Sequence, residues 1–242
     1  MKSGPVPLCL DCRMLESKIV RVAVAALCVA AMGAGCDSSD DAPPDGGNVT
    51  VTTMRGALLQ ASDLGGSWAE PQASTDTQRL VPLCAGPATA PPVPPGAEVV
   101  AAPLADEGPQ GAQTLNQTAL VYPDVTAAQA ALAALRAVAD KCPGSVNQAH
   151  QTTAEKNEPA YTETARTQEI NEGGWAGFVI TRHKQYEPKH PGTADVAVAV
   201  VSKANVLVVD GYAVYRLGNA SGSPQFDADW KKLLGTVLKR VG

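Results

Sequence analysis

Aromatic side chains are scarce in this sequence. Two Phe, three Trp and five Tyr make up only 4% of 242 residues. Alanine and valine carry much of the apolar content, so a folded core must be assembled from many small contacts. Histidine is scarcer still, at three residues, His150, His183 and His190, which leaves few bases to activate a nucleophile. There is no excess of basic charge. The net charge is −5, and beyond residue 35 there are 15 basic against 22 acidic residues, which argues against nucleic acid as a partner. Nor is there an apolar run of membrane-spanning length: Val22–Gly35, the longest near the N-terminus, has 14 residues where a spanning helix needs about 20. Finally, no phosphate-binding glycine loop, dinucleotide fingerprint or GxSxG elbow occurs, so no cofactor is expected.

What is present begins with that short apolar run. Lys18 and Arg21 precede it, and Gly33-Ala34-Gly35-Cys36 follows. A basic start, a short apolar stretch and small residues before the end form a signal peptide. The small-small-Cys ending resembles a bacterial lipobox, with Gly33 in place of the commoner Leu. Cys36 would then be lipidated, become the mature N-terminus and anchor the protein to the outer side of the cell membrane. Met14 gives a more compact leader than Met1, which places Cys9 and Cys12 in a dispensable preface. Residues 37–47 hold four Asp, two Pro and no large apolar side chain, the composition of a flexible tether. The expected division is a signal over 1–35, lipidated Cys36 and linker over 36–52, and one domain over 53–242.

Six cysteines occur, at 9, 12, 28, 36, 84 and 142. Three precede the cleavage point and Cys36 takes the lipid. Cys84 and Cys142 are left in an exported, oxidising setting, where a disulfide between them is expected; two buried thiols are the alternative.

Within the domain, Met54, Leu58 and Leu59 suggest a short helix, with a further turn started at Ser62-Asp63 and Trp68 close behind. Residues 74–96 are Pro-rich and irregular. Alternation marks strands over 97–105, 112–122, 160–170, 175–187, 194–202 and 205–217, with Gly173-Gly174 as a hairpin turn. Residues 125–142 repeat apolar side chains at three- and four-residue steps, so a helix is expected there, capped by Asp124 or Thr126. Phe226, Trp230, Leu234, Val237 and Val241 form an apolar helical stripe, with Ser223 expected as its cap. The order predicts an α+β fold: a twisted antiparallel sheet of about six strands covered by helices, as a single domain.

Two clusters suggest chemistry. His183, Glu187 and His190 fall within eight residues, but their spacing and the flanking Lys184 and Lys189 favour an exposed loop, so no metal is expected. Glu155, Glu158, Glu163, Glu169 and Glu172 read as a solvent face. Trp68, Trp175, Tyr186 and Tyr212, with Tyr215, are the aromatics a ligand cleft would use, against a core role for each.

The lipobox, the acidic linker, the Leu58-to-Leu64 opening with Trp68 behind it and the cysteine ending the central helix resemble one family. So do the strand turns near Arg182-His183 and Ser202-Asn205, and the amphipathic last helix. That family is the actinobacterial lipoproteins related to the extracellular sensor domain of the kinase PknH, and the similarity spans about 53–242. The resemblance implies a sheet with a ligand-binding cleft and no enzymatic activity. PknH-type domains carry more than one disulfide, whereas this domain has two cysteines and no kinase. The function expected is a lipid-anchored extracytoplasmic binding or sensor domain for a small molecule or envelope component. The alternative is an accessory lipoprotein docking on a membrane or cell-wall protein.

Overall fold

A computed structural model describes residues 47–71, 78–108, 111–152, 157–218 and 224–242. The signal, Cys36 and most of the acidic linker lie outside the described residues. Among the described residues the first elements are α1 (Val51–Ala57) and the single turn α2 (Ala61–Leu64). Strands β1 (Glu98–Gly108) and β2 (Gly111–Val121) precede α3 (Val125–Ala139). Three short strands follow, β3 (Ser145–Gln148), β4 (Gln151–Thr152) and β5 (Asn157–Glu158). Four 12-residue strands come next: β6 (Tyr161–Glu172), β7 (Trp175–Tyr186), β8 (Gly192–Lys203) and β9 (Val206–Leu217). Helix α4 (Phe226–Val241) closes the chain.

The long strands, with short β3 at one edge, form one antiparallel sheet in the order β1-β2-β9-β8-β7-β6-β3, and β4 and β5 make a separate ribbon. The sheet thus has seven strands. The one that alternation did not reveal is β3, four polar or half-buried residues on the edge. Gly173 and Gly174 turn β6 into β7 with φ of 59° and 80°, values a side chain resists. The β8–β9 turn leaves Lys203 paired with Val206, which fixes Tyr212 opposite Ala197, and the β7–β8 ladder sets Ala197 opposite Thr181.

Both faces of the sheet are covered, so β8 and β9 are buried on both sides and read as nearly continuous apolar runs. On the first face, α1 and α4 bring Met54, Leu58, Trp230, Leu234 and Val237 onto Val179, Ala199 and Val208. On the second face, α3 lays Ala128, Ala131, Leu135 and Ala139 on Phe178, Ile180, Val200 and Val209. Alanines let α3 approach the sheet closely, which suits a sequence with few large side chains. Asp124 caps α3, its carboxylate accepting from the Ala127 amide at 2.8 Å. The close approach of β7 to β8 needs Gly177, where a Cβ would sit 2.0 Å from the Val200 carbonyl oxygen.

Helix α4 starts at Phe226 with Gln225 in the N-cap position and no side-chain cap, later than the Ser223 start expected; Ser223 lies outside the described residues. The chain enters the domain under the control of one turn residue. Asn205 accepts from the Val49 amide at 2.7 Å and donates to the carbonyls of Val49 and Tyr122 at 3.0 and 2.8 Å. This tie seats α1 over the first face.

Candidate functional site

The segment after α1 is fastened to the sheet by a buried amide. Gln117 of β2 accepts from the Leu59 amide at 2.9 Å and donates to the Leu59 and Ala102 carbonyls at 3.0 and 3.1 Å. Asp63 closes a capping box on Gln60 and also takes a forked pair of hydrogen bonds from Arg240 of α4, at 3.1 and 2.7 Å. The Arg240 bond holds the Asp63 carboxyl below its ordinary range, and the Gln60 amide adds to this. Ala69 then bridges to Ala105 of β1. The segment 60–69 therefore arches from one anchor to another, over a cleft.

That cleft has a volume of about 310 Å³. Its apolar walls are Trp68, Leu59, Leu64 and Leu233, and Tyr212 lies against it from β9. The Tyr212 hydroxyl donates to Gln113 at 2.6 Å, and its ring stacks on Phe226 with centroids 5.7 Å apart. Burial pushes the Tyr212 phenol up to about 12, with the Asp229 carboxylate acting in the same direction. Asp229 and Lys232, one turn of α4, put opposite charges on the rim. Apolar and aromatic walls facing a largely polar, charged rim suit one amphipathic small molecule.

Of the four aromatics singled out from the sequence, Trp68 and Tyr212 meet in this cleft. Trp175 does not: it is 2% exposed in the core of the first face, its indole N–H without a hydrogen-bond partner. Tyr186 lies apart, beside a cavity of about 600 Å³ that it shares with Tyr161. The two rings meet edge to face at 5.8 Å, and Lys184 sits 3.9 Å over the Tyr161 ring. Burial raises both phenols, Tyr161 to about 12. Tyr215 is half exposed near the end of β9.

The acidic solvent face expected over residues 155–172 is corrected at two positions. Glu163 is 2% exposed, accepts from the Gly86 amide at 2.7 Å and stands 3.7 Å from Arg182. Arg182 in turn donates to the Cys84 carbonyl at 2.6 Å, and burial pulls its guanidinium below the ordinary value. Glu158 is buried too, accepting from Lys184 at 3.0 Å. Only Glu169 and Glu172 face solvent, and Glu169 pairs there with Arg136; Glu155 lies outside the described residues. Cys84 and Cys142 are joined by a disulfide, their Cα atoms 4.9 Å apart, between this loop and the end of α3. His183 pairs with Asp195 and His190 with Glu187, and among the described residues no three metal-ligating side chains converge.

Sequence reasoning missed Gln113, Gln117 and Asp210. Asp210 is a lone acid in the apolar run of β9, fully buried, with Oδ1 unpartnered and its pKa raised by burial to about 7. The signal was there: a charged residue inside the apolar run 206–214 of β9.

These features define an α+β domain with a seven-stranded antiparallel sheet and a cleft under its last helix. The chain is similar in fold to the extracellular domain of PknH from Mycobacterium tuberculosis, with a TM-score of 0.50 and 18% identity over 80% of this chain and 99% of that one. No protein-family profile matches the chain and no curated protein sequence is significantly similar. Among the described residues, no helix is long and apolar enough to cross a membrane.

Proposed function

We propose that the chain is a lipid-anchored extracytoplasmic domain that binds a small molecule or envelope component without chemical conversion. The observation that carries the reading is the convergence of Trp68 and Tyr212, far apart in sequence, on one cleft with apolar walls and a charged rim. The likeness in fold to an extracellular domain supports an outside location. The signal peptide over 1–35, lipidation of Cys36 and the tether come from the sequence, and they hold the domain at the membrane surface. Cys84 and Cys142 remain oxidised in that setting. Metabolic labelling with a palmitate analogue tests the anchor: the wild type takes up label and fractionates with membranes. Persistence of both properties in Cys36→Ser would refute it.

A second reading, docking on a membrane or cell-wall protein, rests on a different place. Tyr215 and Leu217 are 42% and 69% exposed at the end of β9, near the β1–β2 hairpin. Crosslinking from Leu217 rather than from the cleft would favour it.

A further inference from the structure

The face that carries the cleft changes character beyond the first turn of α4. Under the helix its rows are apolar, as at Val179 and Ala199. Toward the β7–β8 turn, the register aligns Thr164 with His183 and Asp195 in one row, and Thr162 with Gln185, Thr193 and Arg216 in the next. Arg166 and Thr181 stand in the row nearest the helix, beside Ala197 and Tyr212. Alternation puts all of these on one side of the sheet. Thr164, Arg166, Thr181, His183 and Asp195 line a pocket of about 330 Å³, closed on the helix side by Phe226 and Asp227. That volume is at the lower end of small-molecule sites, roughly 300–1,000 Å³.

We infer that this pocket is a second binding site, for a neutral polyhydroxylated ligand of one or two sugar rings. Its hydrogen-bonding capacity is mixed, and that of Arg166, Thr164 and Thr181 is unspent. Asp195 accepts from His183 Nδ1–H at 2.7 Å, which leaves the second ring nitrogen, Nε2, outside that bond. Arg166, Thr164 and Thr181 make no side-chain hydrogen bond among the described residues, so five donors and two hydroxyls stand ready. Thr193, in the adjoining row, buries its Oγ1 without a partner, a second place on this face where a hydrogen bond is wanting.

The mixture selects the ligand class. A sugar hydroxyl donates and accepts at once, and so needs both kinds of partner within one ring's breadth. The lining charges are balanced: an anion would meet Asp195 and Asp227, and a cation would meet Arg166 and Arg182. An apolar ligand would find little beyond Phe226 and Pro224, whereas these suit the C–H face of a pyranose. The site is independent of the Trp68–Tyr212 cleft and stands whether or not that cleft binds anything.

The test is an NMR titration of the full chain in a detergent without a sugar head group, with maltose, N,N′-diacetylchitobiose and inorganic phosphate as separate probes. The expected result is shifts at Thr164–Arg166 and Thr181–His183 with at least one sugar, at a Kd of about 1–10 mM. Both Arg166 and His183 are exposed, so their replacement spares the fold. Arg166→Ala and His183→Ala should each weaken binding ~10-fold, and Trp68→Ala should leave it unchanged. No sugar-dependent shift up to about 50 mM would overturn the inference. So would shifts confined to Trp68 and Leu233, or phosphate binding more tightly than either sugar.

Discussion

The two faces of the sheet are covered by different means. On one, α1 and α4 pack apolar stripes onto the strands, helped by single-residue polar ties such as Asn205 on Val49, Gln117 on Leu59 and the Asp63–Arg240 clasp. On the other, α3 covers part of the face, and irregular chain holding Leu80 and Leu83 covers more. A helix satisfies its own backbone and can lie on a sheet by burial alone. The irregular loop cannot, and there the protein places its disulfide and its buried Arg182–Glu163 pair, each holding backbone of residues 84–86. The helical face, free of such staples, is where the cleft opens.

The comparison breaks most visibly at the disulfide. Cys84→Ser with Cys142→Ser should cost about 4 kcal/mol in urea unfolding, from the entropy of a closed loop of 58 residues. Hydrogen exchange should quicken across 78–97 and leave α1 and α4 unchanged. Equal loss on both faces would show that the staple serves the whole domain.

Asp210 sharpens the comparison from the helical side. Folded, it keeps its proton up to about pH 7, whereas its ordinary value is 3.8, so the native state binds more protons in between. Stability should therefore fall as pH rises from about 4 to about 7 and level off above, by at most ~4 kcal/mol. Asp210→Asn, neutral throughout, should flatten that part of the profile and raise the melting temperature at pH 8. A variant with an unaltered pH profile would place the titration elsewhere.

The smallest effect belongs to the clasp. Asp63 and Arg240 are both about one-third exposed, so Asp63→Asn should cost under about 1 kcal/mol at moderate salt. Its readout is faster exchange over 60–68, the arch above the cleft.

Much of this architecture was legible in the sequence because its signals are local. The Gly173-Gly174 turn, the period of α4 and the apolar runs of β8 and β9 each declare an element within a dozen residues. What was not legible depended on pairing across strands. Glu163 looks like a solvent acid until Arg182, in the neighbouring strand, is placed beside it. Likewise Tyr186 and Tyr212 look equivalent, yet the turns fix Tyr212 in the row of Ala197 and Thr181, on the face opposite even-numbered residues of β7. That parity could have been counted from the turn lengths, whereas the arch bringing Trp68 to Tyr212 has no signature in spacing. Strand β3 escaped because three polar residues and one valine on an edge are too short a run to declare a strand.

The central claim is that the Trp68–Tyr212 cleft is where the domain meets its ligand. Hydrogen exchange of the full chain, with and without a detergent extract of envelope lipids and glycans, tests it most directly. Added protection over 59–68 and 229–240, lost in Trp68→Ala, is the result this account predicts. Protection that appears elsewhere, or survives Trp68→Ala unchanged, would contradict it.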